Sequence, residues 1–366
     1  MHGAAEWLVG PDRNLTRFGE LPRYREGLYR LRGGTYAWMV PNGSWGETNL
    51  GLVSCGGRSV LIDTAWDLRF TREFLAAAHA IVEKSPVECV VNTHADGDHC
   101  WGNQLFAGRT IIGSHRCIAQ MDHLRPRALE ALRVAARLAR RLPVEGVAEF
   151  GRYVENMFEP YTFRGIELVK PTDGFSGEKT LTLGGVDIVL REVGPAHTDG
   201  DVVAWVPSER VAYAGDTLFV GVTPVMWAGP VENLLSGLRH LLSLDADVIV
   251  PGHGPLATRE DVQHVIDYWD FVHEALQTRS RFGMPPTEAA RSVLLDRAFQ
   301  STGFARWGSP ERLVTSAHTM YRNWGYLERR LPEKLANVDL LRRQARIALL
   351  MGSNATTGCA KSSPGS

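Results

Sequence analysis

The sequence predicts an α/β protein on three observations. Short apolar runs are bounded by Gly-rich turns, helical spacing recurs between those runs, and imidazole and carboxylate residues cluster where the runs give way to loops. The 366 residues suffice for one large domain or two small ones, with a substantial core. Composition is ordinary for a globular protein, at 44% hydrophobic and 22% charged. Forty Lys and Arg against 41 Asp and Glu leave a formal charge of -1, which argues against a generally basic nucleic-acid binder and against an acidic disordered chain.

The first 35 residues show no clear period and read as an N-terminal arm, with regular structure beginning near Tyr36 and continuing through 49–54. SVLIDT after Gly56-Gly57 predicts a strand at 59–64. Phe70, Phe74, Ala77, Ala78 and Ile81 follow at helical spacing, then strands at 88–92 and 110–113. An amphipathic helix is predicted over 127–142, with Leu129, Leu132, Ala136, Ala139 and Leu142 on one side and Arg133, Arg137, Arg140 and Arg141 on the other. The aromatic-rich stretch 144–180 reads as a lid or wall over a pocket. Short strands are expected at 180–183, 186–193, 201–207, 211–214 and 246–250, with helices over 231–243, 262–276 and 287–300. The expected organisation is an arm at 1–35, a domain at 36–300 with a lid or insertion at about 125–180, a basic helical extension at 301–354, and a disordered tail at 355–366.

The cysteines Cys55, Cys89, Cys100, Cys117 and Cys359 are scattered and form no CxxC, so neither a disulfide scaffold nor a zinc finger is expected. A reducing cytoplasm is the expected compartment. The N-terminal stretch lacks the basic-then-apolar order of a secretory signal. No run reaches the roughly 18 apolar residues of a membrane span, so no membrane association is expected.

Chemistry concentrates after four predicted strands. Thr93-His94-Ala95-Asp96-Gly97-Asp98-His99 follows the strand at 88–92, and His197 follows the strand ending at Val193. Asp216 follows Ala214-Gly215, and His253 lies in Pro251-Gly252-His253-Gly254. Open α/β sheets gather ligands beyond strand ends, so these residues can converge. Imidazole with carboxylate suits Zn, Mn or Fe, and Asp216 has two oxygens with which to bridge a pair of ions.

In these segments the chain resembles the metallo-β-lactamase superfamily. Five motifs carry the resemblance, in order: LIDT at 61–64, THADGDH at 93–99, GPAHTDGD at 194–201, AGDTLF at 214–219 and PGHG at 251–254. The resemblance implies an αβ/βα four-layer sandwich over about 36–256. It implies that His94 and His197 bind a first metal, that Asp98, His99 and His253 bind a second, and that Asp216 bridges them. Asp63 is similar to the family's buried strand-end aspartate that steadies the metal loop, and Thr93 and Asn103 are supporting candidates. The usual motif is HxHxDH, and here Asp96 replaces its second histidine. Three roles are open to it: a ligand beside His94 and His197, an acid too short to coordinate that holds a water, or a base beside a single ion. Related enzymes with glutamate at this place, the flavodiiron proteins and certain di-iron hydroxylases, supply a redox parallel.

The expected cofactor is one or two divalent ions, with zinc placed first and iron or manganese as alternatives. The expected reaction is hydrolysis of an ester, thioester or lactone of a small, partly apolar organic substrate by a metal-bound hydroxide, with Asp98 and Asp96 as the catalytic carboxylates. Two other readings are an oxygen-using di-iron or di-manganese oxidoreductase and a non-catalytic scaffold. Trp101, Phe219, Met226 and Trp227 follow metal-bearing segments and are candidates for the pocket wall. An acidic acyl-carrier protein on the arginine face, or a second copy of the chain, is an expected partner; nucleic acid is not.

Overall fold

The computed structural model describes residues 5–144, 146–326 and 333–352. One sheet runs in sequence order through β1 (Glu6–Val9), β2 (Gly27–Arg30), β3 (Thr35–Met39), β4 (Leu50–Cys55), β5 (Arg58–Ile62), β6 (Val87–Val91), β7 (Thr110–Ser114) and β8 (Asp173–Phe175). It is antiparallel up to β5 and parallel from β5 to β8. The second sheet holds β9 (Glu178–Leu183), β10 (Val186–Glu192), β11 (Val202–Val206), β12 (Val211–Phe219) and β13 (Val248–His253), in the order β13-β12-β11-β10-β9. Here only the β12–β13 pair is parallel.

The sheets pack face to face because each supplies alternate apolar side chains to a shared core. Val53, Val60, Ile62 and Val91 meet Ile188, Ala204, Val211 and Val250 there. Helices cover both outer faces. Phe70 and Phe74 of the helix Leu68–Ala77 cover the first sheet, and Leu234 and Leu238 of Val231–Ser243, with Val265 and Trp269 of Arg259–Arg281, cover the second. The result is the α/β class that the alternating pattern predicts and the four-layer sandwich that the resemblance implies. Strands covered on both faces read as unbroken apolar runs, which is why β5, β6 and β13 are plain in the sequence. The β9–β10 link needs Gly184 and Gly185 at φ 54° and 80°, the left-handed pair that a tight hairpin requires.

Three expectations are corrected. The N-terminal arm supplies β1 and β2, paired antiparallel to each other and β2 to β3. Four-residue strands separated by Pro-, Gly- and Arg-rich chain are too short to show a period. Strand β12 runs five residues beyond the expected 214, because Gly215, at φ 51°, and Phe219 keep pairing with Pro251 and His253 of β13 across two register shifts. The aromatics of 144–180 are core rather than lid: Tyr153, Phe158, Tyr161 and Phe163 are buried, and Trp66 lies 4.9 Å from Tyr161 and 5.2 Å from Phe163. Three arginines of the amphipathic helix are paired within the molecule. Arg137 and Arg140 reach Glu155 of the helix Val147–Phe158 at 3.7 and 2.7 Å, and Arg133 reaches Glu130 at 2.7 Å.

The C-terminal region forms the helices Leu313–Asn323 and Glu333–Met351, and the expected tail at 355–366 lies outside the described residues. Cys55, Cys89, Cys100 and Cys117 are free and buried, and Cys359 lies outside the described residues. Among the described residues no helix is long and apolar enough to cross a membrane.

Candidate metal centre

Strand ends from both sheets bring seven side chains together. His94 follows β6, Asp96 precedes the single turn Gly97–Cys100 that carries Asp98 and His99, and His197 lies between β10 and β11. Asp216 lies within β12 and His253 ends β13. Three sets of these residues have ligand atoms within 4.8 Å of one another: His94 with Asp96 and His197, Asp98 with His99 and His253, and His94 with His99 and Asp216.

Asp216 joins the sets. Its Oδ2 lies 3.8 Å from His94 Nε2, 3.3 Å from His197 Nε2 and 3.4 Å from His253 Nε2, and its Oδ1 lies 3.2 Å from His99 Nε2. Asp98 Oδ2 is 3.5 Å from His253 Nε2 and 3.9 Å from His99 Nε2. Two donors each about 2.0–2.1 Å from a tetrahedral ion lie roughly 3.3 Å apart, so these separations fit shared cations. His94 Nε2, His99 Nε2 and Asp216 Oδ1 are buried without a hydrogen-bond partner. A cation answers that deficit, because buried polar atoms left unpaired are costly.

Each ring is turned by its other nitrogen. His99 Nδ1 donates to Asp63 Oδ2 at 2.8 Å, His197 Nδ1 to the Val225 carbonyl at 2.7 Å, and His253 Nδ1 to the Glu47 carbonyl at 3.1 Å. His94 Nδ1 lies 3.0 Å from Thr93 Oγ1, whose hydroxyl donates to Asp63 Oδ2 at 2.7 Å and so keeps lone pairs for the ring N–H. This tautomer, assigned from the bonding network, leaves all four Nε2 atoms as lone pairs facing the cluster. Asp63 can serve both rings because its φ of 62° turns the carboxylate toward the loop, where Oδ1 also accepts the Thr93 N–H at 2.7 Å. Aspartate is among the few non-glycine residues that visit this left-handed region readily.

Thr48 Oγ1 donates to Asp98 Oδ2 at 2.8 Å. Gly252 is needed opposite, since a Cβ there would stand 1.9 Å from Asp216 Oδ1. Asn103 Nδ2 donates to Asn92 Oδ1 at 2.7 Å, and Asn92 Nδ2 to the His99 carbonyl at 3.0 Å, which ties down the metal loop's backbone.

Burial sets the electrostatics. It presses on the Asp216 carboxyl, but the imidazoles of His253 and His99 outweigh it and hold the group well below the usual range. Burial likewise opposes a charge on His99, yet Asp216 and Asp63 flank the ring and hold it well above the ordinary imidazole range. Burial and the neighbouring His99 keep His94 well below that range. Cation binding therefore displaces protons from the cluster.

Burial also pushes the Glu47 carboxyl up to about 8, against an ordinary 4.5. The folded chain then binds a proton that the unfolded chain releases, so this group's contribution to stability falls as pH rises from 4.5 through 8. Glu47→Gln removes that term. The fall in Tm between about pH 5 and pH 8 is expected to be shallower in the variant, and thermal melts across that range check it.

The profile of the Metallo-beta-lactamase superfamily matches residues 43–253, which include every one of these ligands. The chain belongs to the metallo-beta-lactamase superfamily. Among curated relatives, the alpha subunit of a 2,4-dinitroanisole O-demethylase from Nocardioides sp. (strain JS1661) is 25% identical over 58% of this chain and 54% of its own length. Beta-lactamase-like protein 2 homolog of Caenorhabditis elegans is 24% identical over 60% of this chain and 61% of its own length. This chain thus spans between half and two thirds of those relatives. Among solved structures, the inverting sec-alkylsulfatase Pisa1 from Pseudomonas sp. shares the fold with a TM-score of 0.61 at 16% identity, over 89% of this chain and 57% of that one. Members of this superfamily are generally metal-dependent hydrolases, and the His/Asp sets found here could hold metal.

The departure from the superfamily motif sits within reach of its neighbours. Asp96 Oδ2 lies 3.2 Å from His197 Nε2 and 3.9 Å from His94 Nε2, where the second histidine of HxHxDH would be expected to contribute. The four pocket candidates divide. Phe219 lies parallel to the His253 ring at 5.1 Å and borders His197 at 5.6 Å. Trp227 is half-buried, and its N–H donates to the His197 carbonyl at 2.7 Å. Trp101 is buried against Phe163 at 5.5 Å, and Met226 is fully buried in the second helical layer, so both are core residues.

Sequence reasoning missed Thr48 and the carbonyls of Glu47 and Val225. Backbone acceptors carry no residue signature. Thr48 stands 50 residues from its partner Asp98, in a stretch without a motif.

Proposed function

We propose that the protein is a metal-dependent hydrolase acting on an ester, thioester or lactone of a partly apolar organic substrate. The observation that carries this reading is the cluster of imidazole nitrogens and carboxylate oxygens facing one another, in which His94 Nε2, His99 Nε2 and Asp216 Oδ1 are buried without a hydrogen-bond partner. His94, Asp96 and His197 would hold one ion, Asp98, His99 and His253 another, and Asp216 would touch both; zinc fits this donor set, as do iron and manganese. Such ions supply Lewis acidity and, at neutral pH, a hydroxide nucleophile.

The chain's own residues do the rest. Asp63 and Thr93 fix the ring planes of His99 and His94. Phe219 stacks on the His253 ring. Asp96, whose side chain is 33% exposed, stands on the open side and meets the incoming substrate. The relatives' names span an O-demethylase subunit and beta-lactamases, so the class of bond rests on the site rather than on any one of them.

Elemental analysis of protein purified without added metal, read with an ester, thioester and lactone screen, tests the proposal. Turnover without oxygen uptake, lost on chelation and in His94→Ala, is expected. Turnover that survives chelation counts against it. Asp96→Ala is expected to reduce the bound ions per chain, and an unchanged ratio would remove Asp96 from the ligand set.

The two-histidine, one-carboxylate set formed by Asp96 favours a second reading, an oxygen-using di-iron or di-manganese enzyme. Iron in the purified protein with substrate-dependent oxygen uptake would support it. Full zinc occupancy without redox activity would dismiss it.

A further inference from the structure

The C-terminal region places a buried arginine against the loop that supports two of the metal ligands. Arg312 ends a short turn, Pro310–Arg312, that leads into the helix Leu313–Asn323. Its residue is 2% exposed, and its Nε and Nη1 have no hydrogen-bond partner. A guanidinium is always charged and presents a planar fork of donors, so leaving two of its nitrogens buried and unbonded is costly. The guanidinium carbon lies 4.6 Å from the centre of the Trp45 ring.

Two segments fix this arginine relative to the centre. The loop carrying Trp45 also supplies the Glu47 carbonyl to His253 and the Thr48 hydroxyl to Asp98. Helix Leu313–Asn323 is pinned to the loop that holds His197, because Ser316 Oγ accepts the Met226 N–H at 3.1 Å and Thr319 Oγ1 donates to the Trp227 carbonyl at 3.2 Å. Arg312 therefore lies between two segments that each touch a metal ligand. The carboxylates of Asp216 and Asp98 are among the charges that act on it, after Glu311 and Tyr153. Glu311 is turned toward Tyr153, whose hydroxyl donates to its Oε1 at 3.3 Å.

We propose that Arg312, stacked on Trp45, is the anion anchor of this site and receives an oxyanion group, a carboxylate, sulfate or phosphate, carried by the substrate. The anchor is separate from the ions, so the reacting bond lies toward the histidines while the charged end of the substrate is held at the guanidinium. Retaining a buried charge without acceptors makes sense where a ligand completes it. The placement of the reacting bond rests on the hydrolase reading; the anchor itself does not.

Inorganic sulfate is titrated calorimetrically into the metal-loaded full chain, as wild type, Arg312→Met and Arg312→Lys. Saturable binding is expected in the wild type, with a Kd raised by at least about tenfold in Arg312→Met. Absence of saturable binding in the wild type, or wild-type affinity in Arg312→Met, overturns the anchor; the latter would place sulfate on the metal. If Arg312→Met does not fold, Arg312→Lys decides, since it keeps the charge and loses the fork: weaker binding supports the anchor, and unchanged binding overturns it.

A paired kinetic arm separates this inference from the function. Wild type is expected to favour the mono-p-nitrophenyl ester of succinate over p-nitrophenyl butyrate in kcat/KM, and the Arg312→Met ratio is expected to approach one. Turnover of neither ester alongside Arg312-dependent sulfate binding would refute the ester reading and leave the anchor standing. Equal turnover of both without sulfate binding would do the reverse.

Discussion

Asp216→Asn is expected to strip the protein of its ions and to reduce any hydrolysis to the level of chelated wild type. Asp216 is the carboxylate whose oxygens lie within 3.8 Å of Nε2 atoms on all four histidines. Asparagine keeps its volume in the tight space beside Gly252 but removes the charge and one of the two acceptor oxygens. Loss of the ions removes several kcal/mol of transition-state stabilisation, so activity should fall by about 10³-fold or more. The fold should survive, because the histidines can then rest neutral. Elemental analysis and circular dichroism of the variant check both halves. A variant that keeps the wild-type metal content would show that Asp216 is not what joins the two sets.

Asp63→Asn is expected to weaken metal binding by about 10–100-fold without unfolding the chain, the usual cost of disturbing a group that orients a ligand. Asparagine, like aspartate, tolerates the φ of 62° at this position, so the substitution tests charge rather than backbone strain. The wild-type carboxylate accepts from Thr93 N, Thr93 Oγ1 and His99 Nδ1. An amide nitrogen would face donors in either orientation, the Thr93 N–H at the Oδ1 position or Thr93 Oγ1 and His99 Nδ1 at the Oδ2 position, and so disturb the loop or the rings. Competition with a chromogenic chelator measures the affinity. An unchanged affinity would mean that the loop backbone alone fixes His94 and His99.

Much of this site was legible because its ligands follow strands buried on both faces. Such strands stand out as apolar runs, and the His and Asp residues just beyond them mark where the runs stop. The same logic failed where the determinant is the backbone or a distant packing partner. The Val225 and Glu47 carbonyls orient two of the four rings, and no side-chain identity announces them. Phe158, Tyr161 and Phe163 looked like a lid because their stretch is rich in aromatics and weak in periodicity, yet Trp66 and Trp101 draw them into one aromatic core. The reach of Asp96 also needed coordinates. A carboxylate is shorter than an imidazole, and only the close approach of His197 brings it to 3.2 Å. Arg312 was one of nine basic residues in a segment read by its net charge alone, and its burial depends on contacts with Trp45, far away in the sequence.

Anomalous diffraction at the absorption edge of whichever metal elemental analysis finds would report most directly on the shared centre. The account predicts density between His94, Asp96 and His197, between Asp98, His99 and His253, or at both places, with Asp216 in contact. Peaks confined to surface residues, or none in crystals grown with excess metal, would contradict it.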